Sequence, residues 1–263
     1  MKPRSAVFLA FAFLFAASLA NGQKFANDIH SYADPNAVRV THVDLDWTVS
    51  FEQKTISGFA TLSVDRTDKS APLYLDTRDL KIFSAEASPD NRRYDLTRFE
   101  LAPADKILGS KLTVQLPAGA KFVRIYYSSS PKASGLQWLS PEQTAGKQLP
   151  YMFSQAQAIH ARSFIPLQDS PQVRVTYNAR VRTPSDLLAV MSAEGNSRTN
   201  VRTGDYRFAM RHPIPPYLIA IGVGDIKFKS LGARTGVYTE PSMLAKSAWE
   251  LADTEKMVRA TER

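Results

Sequence analysis

The sequence predicts an all-β protein, a large curved β-sandwich or saddle-like sheet, followed by a short helical stretch at residues 242–263. Three observations predict this. Apolar and polar residues alternate through residues 42–49, the period of a half-buried strand. Short apolar segments then recur at 73–75, 80–85, 112–116 and 122–127, separated by clusters of Pro, Gly, Asp and Asn. A helical spacing of apolar residues enters only after residue 237.

Taken in order, the chain opens with Lys2 and Arg4 and an apolar run at 6–20, with Ser18 and Ala20 before a cut ahead of Asn21. Residues 1–20 have the form of a secretory signal peptide, which implies export to a periplasm or to the outside. An uncleaved anchor is the alternative. The apolar run is short of the roughly 20 residues that span a bilayer, and no second segment approaches that length, so the mature chain should have no stable membrane span. Export would permit disulfides, but there is no cysteine to form them. A hydrophobic content of 44% supports a sizeable core. The net charge of +8 is spread over separated residues such as Arg92, Lys147, Arg198 and Arg211, without the aromatic-lined stripe that nucleic acid needs.

Residues 23–38 read as irregular, with a turn at Asp34, Pro35 and Asn36. The strand at 42–49 follows; 51–58 should turn the chain and 59–64 return it antiparallel. His42, Asp44 and Asp46 share a face and read as solvent-facing strand residues, not metal ligands. Composition makes 128–147 a loop anchored by an apolar island at 136–139. Segments 173–181 and 187–192 suggest a hairpin through 183–186, and 206–210 is expected to pair with the strand after it. The nearly continuous apolar run 217–223 suggests a strand buried on both faces. No linker interrupts residues 24–231, which read as one domain. In 242–263, Leu244, Ala248, Leu251, Ala252, Glu255 and Val258 fall near helical spacing, Pro241 suits a first helical turn and Glu240 the positive end of its dipole.

The densest polar chemistry lies at 149–177, where Gln155, Gln157, His160, Arg162 and Asp169 fall in one short span. If residues 155–157 are extended, the two amides point to the same face and can hold an ammonium group or a peptide backbone. The same pattern also fits a strand whose buried amides bond to neighbouring backbone. His160 and Arg162, with Asp169 in reach of the latter, read as support for the loop, since no nucleophile or carboxylate completes a catalytic set with the histidine. Ser154 and Ser163 have no triad context, and Tyr177 reads as structural.

The wording PYMFSQAQAIHARSFIPLQDSP, preceded by LQWLSPEQTAGKQ and followed by VTYNARV, LLAVMSA and PIPPYLIAIGVGDI, resembles the leukotriene A-4 hydrolase branch of the zinc aminopeptidases related to aminopeptidase N. The resemblance starts near HSYADP at residues 30–35 and continues to the last residue. It implies a zinc exopeptidase with a β-rich N-terminal domain, here 24–231, and a thermolysin-like catalytic domain, whose first part would be 232–263. It also implies that Gln157 accepts a hydrogen bond from the substrate's ammonium, while Gln155 and the backbone near Ala156, followed by Ala158, border the pocket for the first side chain. Typical aminopeptidases carry Glu at the second of these positions, and Gln here favours the leukotriene-hydrolase-like branch. Ala156 stands where that branch often has Cys.

The family's zinc needs an HExxH segment and a downstream Glu, because two imidazoles one helical turn apart and a carboxylate leave a fourth position for water. This sequence has no HExxH and no GxMEN-type segment, and none of its four histidines has a partner at i+4. It is therefore expected to bind no cofactor itself and to be inactive alone. Its expected partners are peptide N-termini and a catalytic domain, in cis or supplied in trans. A secreted non-catalytic peptide-binding module and a docking domain for a separately encoded catalyst are the other readings.

Overall fold

The computed structural model describes residues 24–262; the signal peptide expected at 1–20 lies outside the described residues. The all-β expectation holds. Four sheets of eight, four, three and two strands make up the body, and two short helices end it.

At the centre of the eight-stranded sheet is Val38–Ser50, the strand that the alternation at 42–49 announced. Val43, Leu45, Trp47 and Val49 are buried, so the period of two selects one face for the core. The chain turns at residues 51–54, and Thr55–Arg66 returns antiparallel. The turn is thus shorter than expected, and Gly58 is a strand residue. It has a φ of +142°, and a Cβ there would lie 1.9 Å from the Asp46 carbonyl oxygen, so close backbone approach is what requires glycine.

The other neighbour of Val38–Ser50 is Val175–Arg182, in parallel register with His42 opposite Thr176. A parallel pair cannot be closed by a tight turn. The crossover between them carries the three-stranded sheet, two strands of the four-stranded sheet and the polar stretch at 149–171. That stretch is thereby laid against the core just before the chain re-enters the large sheet.

Two pairing expectations fail. Val175–Arg182 and Leu188–Met191 do not form a hairpin: the first lies between Val38–Ser50 and Asp205–Ile214, the second pairs with Ile221–Gly224 in the four-stranded sheet. Likewise Asp205–Ile214 pairs back to Val175–Arg182 and not forward. Burial explains both. Alternating strands suit the large sheet, which has one wet face, whereas Leu188–Met191 and Ile221–Gly224 are almost continuously buried and match each other. The run at 217–223 is also split, since Pro216–Leu218 forms one tight helical turn before the strand starts at Ile221.

The apolar island in the expected loop 128–147 is itself a strand. Leu136–Leu139 pairs with Tyr151–Ser154 at the edge of the four-stranded sheet, and the Trp138 ring meets Phe51 edge-on at 5.4 Å. Under the sheets, Trp47 Nε1 donates to the Tyr127 hydroxyl at 2.7 Å, and that hydroxyl donates to the Phe164 carbonyl at 2.9 Å. Replacing Tyr127 by Phe orphans both buried partners and should cost about 1–3 kcal/mol in urea unfolding. A change within error would mean that water takes the hydroxyl's place.

The helix expected over 242–263 is two helices, Leu244–Glu250 and Thr254–Thr261. Asp253 and Thr254 interrupt it: Thr254 Oγ1 donates to the Leu251 carbonyl, and Asp253 starts the second helix. Pro241 opens a preceding tight turn, Pro241–Met243. Glu240 does not serve the helix; its carboxylate accepts from the backbone N–H groups of Ala145 and Gly146 at 2.8 and 3.0 Å. Trp249 and Met257 are exposed. The position where the second domain was expected to start, residue 232, falls in the turn between the paired strands Lys227–Ser230 and Gly236–Thr239.

Candidate functional site

Tyr151–Ser154 delivers the chain to the paired amides. Met152 points into the core, while Phe153 is exposed. The ladder stops at Ser154, whose Oγ accepts from the Ile221 N–H at 2.9 Å, and Gln155 N donates to the Gly135 carbonyl at 2.9 Å. Beyond it the alternation persists without a partner strand. Ala156 is buried, Gln155, Gln157 and Ala158 are exposed, and the Gln157–Ala158 peptide is cis. Neither glutamine amide bonds a protein group among the described residues, which sets aside the reading in which both are buried and satisfied. Each offers a carbonyl acceptor and two N–H donors to solvent.

A buried ionic node lies behind this turn. Arg162, in the tight helical turn Ala161–Ser163, is fully buried. Its Nε donates to Asp169 Oδ2 at 3.0 Å, Nη1 to the Leu108 carbonyl at 2.8 Å and Nη2 to the His30 carbonyl at 2.8 Å. The Arg162–Asp169 pair was legible in the sequence. Asp76 was not: its carboxylate lies 3.7 Å from Nη1 and accepts from Ser31 Oγ, Tyr32 N and Asp169 N at 2.6, 2.7 and 2.8 Å. One guanidinium thus ties the N-terminal segment, the 105–109 loop and two carboxylates to the back of the site. The only hint of Asp76 in the sequence is an acid next to Leu73 and Leu75.

Burial pushes the Asp169 carboxyl up to about 6, with the nearby Asp76 adding and Arg162 opposing. The sign follows: between about 6 and the ordinary 3.8 the folded state holds a proton that the unfolded state does not. Asp169 should therefore contribute a rise of about 1 kcal/mol from pH 7 to pH 5, set against the loss from His160, whose protonation the fold disfavours over the same window, and before the carboxylates held low, such as Asp44 and Asp205, begin to protonate. Asp169→Asn should flatten that rise in urea midpoints; an unchanged slope would assign it to another group.

His160 supports the turn. Its Nδ1 lies 2.8 Å from Ser134 Oγ and 3.5 Å from Arg78 Nη1, and burial with the charges of Arg78 and Arg162 disfavours its protonation. The Tyr177 hydroxyl meets Ser192 Oγ at 2.9 Å, and burial pushes its pKa up to about 12. The Ser134–His160 pair has no carboxylate bonded to the imidazole among the described residues. On the large sheet's open face, His42 meets Thr176 at 2.6 Å and Asp44 at 3.2 Å, Asn178 donates to Asp44 at 2.9 Å, and Arg182 donates to Asp46 at 2.7 Å. All of these but the His42–Asp44 contact, which lies within one strand, are cross-strand pairs, as the sequence suggested. Among the described residues no group of three or more His, Cys, Asp or Glu could hold a metal ion, and no helix is long and apolar enough to cross a membrane.

Known proteins match this architecture. The family profile described as the peptidase M1 N-terminal domain matches residues 39–218. Leukotriene A-4 hydrolase of Xenopus laevis is 38% identical over 245 residues, which cover 89% of this chain and 39% of that protein. Leucine aminopeptidase 2 of Yarrowia lipolytica is 40% identical over 222 residues, 83% of this chain and 32% of that protein. The chain thus spans less than two fifths of the length of either relative. The native yeast LTA4 hydrolase structure superposes with a TM-score of 0.82 at 34% identity, over 92% of this chain and 38% of that one. An M1 zinc metallopeptidase from Deinococcus radiodurans shares the fold with a TM-score of 0.56 at 22% identity. By profile, identity and fold, the chain belongs to the family of peptidase M1 N-terminal domains.

Proposed function

We propose that this domain is the substrate-anchoring part of an exported zinc metallo-aminopeptidase that removes N-terminal residues from peptides. The observation that supports it most is the pair of unbonded amides of Gln155 and Gln157 flanking buried Ala156. Gln157 accepts a hydrogen bond from the substrate's ammonium through its neutral carbonyl, and Gln155, Ala156 and Ala158 border the pocket for the first side chain. The relatives named as aminopeptidases supply the reaction class. The described residues do not make a zinc ligand set, so in this reading zinc and its bound water sit in a catalytic domain, in cis in the same polypeptide or in trans, and this chain's role is to bind and orient the peptide. Export runs through the leader at 1–20, and the mature N-terminus is Asn21.

Capture of the native protein from the exported fraction, with an antibody to this domain, tests the reading. The expected species is a polypeptide well beyond 263 residues that begins at Asn21 and carries zinc, with aminopeptidase activity lost on chelation. The isolated 263-residue chain is expected to hydrolyse no aminoacyl substrate and to retain no stoichiometric zinc. Recovery of a zinc-free species of 263 residues or fewer, without a catalytic partner, would sink the enzyme reading in favour of a peptide-binding module.

A further inference from the structure

We propose that Ser163, together with Gly135, is a positioning residue for the paired amides; this rests on the ammonium-recognition reading above. Gln155 and Gln157 have no side-chain partner among the described residues, yet the backbone between them, at residues 155–156, is bonded on either side. Gly135 N donates to Ser163 Oγ at 2.9 Å, and Ser163 Oγ donates to the His160 carbonyl at 2.7 Å. Gly135 in turn accepts from Gln155 N at 2.9 Å, and His160 N donates to the Ala156 carbonyl at 2.8 Å. These four bonds stitch the 134–135 segment, residues 155–156, His160 and Ser163 into a ring around the turn. Ser163 is completely buried, so its hydroxyl cannot trade these partners for solvent.

The ring closes only because position 135 has no side chain. A Cβ there would stand 2.6 Å from the His160 carbonyl oxygen, 2.8 Å from Ser163 Oγ and 2.9 Å from Phe164 Cε1. All three lie on the segment that follows the amides, and a methyl group would push that segment away. The arrangement is the one expected of a recognition site: acceptors left free for a ligand, on a backbone whose position is set by a second layer of bonds. Misplacement of such groups by about 1 Å is enough to cost on the order of a hundredfold in a positioned reaction, so a loosened ring should show in recognition before it shows in folding.

The experiment follows the side-chain and backbone amide signals of the ¹⁵N-labelled chain during titration with trialanine and with N-acetyl-trialanine. In the wild type, trialanine is expected to shift the Gln155 and Gln157 signals and to bind more tightly than the acetylated peptide. Ser163→Ala should displace the signals of residues 155–158 in the free protein and reduce that preference about tenfold, with core signals such as the Trp47 indole unmoved. Gly135→Ala, acting by displacement and not by loss of a bond, should do the same. As a control for mere destabilisation, Tyr177→Phe removes a buried hydroxyl bond in the large sheet and should leave the preference intact. A wild type that treats the two peptides alike overturns the ammonium reading and this proposal with it. A wild type that discriminates, alongside Ser163→Ala and Gly135→Ala variants that discriminate equally well, overturns only the positioning role.

Discussion

Arg162→Ala is expected to remove about 3–5 kcal/mol of stability, a large share of the 5–15 kcal/mol typical of a folded domain. The magnitude comes from what the substitution strands. Asp76 and Asp169 would remain buried side by side with no cation between them, and the carbonyls of His30, Leu108 and Asp169 would lose their donor. Truncating one member of a buried ionic group leaves an uncompensated charge, which costs far more than the intact group contributes. Arg162→Lys should recover less than half of the loss, because one ammonium cannot reproduce a planar fork that serves three directions. The loss should also shrink from pH 7.5 to pH 5, since the stranded Asp169 carboxyl, already pushed up by burial, relieves the repulsion by taking up a proton. Urea midpoints at the two pH values check all three statements; a loss below about 1 kcal/mol at pH 7.5 would mean that water enters and solvates the node.

That node also marks the limit of what could be read from the residues alone. Where a residue's role follows from its near neighbours in the chain, the sequence was legible. The strand around His42, Asp44 and Asp46 declares itself by alternation, and the exposed positions of Gln155 and Gln157 on either side of Ala156 obey the same period, although the ladder has already ended at Ser154. Partners distant in the chain were not. Nothing local to Val175–Arg182 says that it lies parallel to Val38–Ser50, so the next apolar segment looked like its hairpin partner. Burial pattern held the answer, since a continuously buried strand and an alternating one seldom share a sheet with one wet face. Asp76 is hidden for the same reason, because its donors Ser31, Tyr32 and the Asp169 N–H come from remote segments. Gly135 and Ser163 are commonplace loop residues by composition, and only the 2.6–2.9 Å gaps around position 135 give them meaning. The single helix expected over 242–263 became two because Asp253 and Thr254 favour a helix start over a helix interior, a local signal outweighed by the apolar spacing around it.

If the domain anchors the substrate of an aminopeptidase as proposed, Gln157→Ala in the full-length protein should lower kcat/KM for an alanyl substrate about ten- to hundredfold, the equivalent of one hydrogen bond to a charged group, about 1.5–3 kcal/mol. The amide is exposed and bonds no protein group among the described residues, so its removal strands no buried group and stability should change by less than about 0.5 kcal/mol. That separation of activity from stability is the signature that distinguishes Gln157 from Arg162. Gln155→Ala should have the smaller effect, because in the proposed reading it borders the first side chain and does not hold the ammonium. Gln157→Glu keeps an acceptor at the same place and strengthens its pull on a cation, so it should retain binding of the free amine where alanine loses it. If the loss fell mainly on KM, the amide would hold ground state and transition state alike; a matching fall in kcat would mean that it fixes the ammonium for attack at the next bond. Steady-state kinetics on the three variants, with unfolding midpoints measured in parallel, decide the assignment. A Gln157→Ala enzyme within threefold of wild type, or one no worse than Gln155→Ala, would remove Gln157 from the ammonium site.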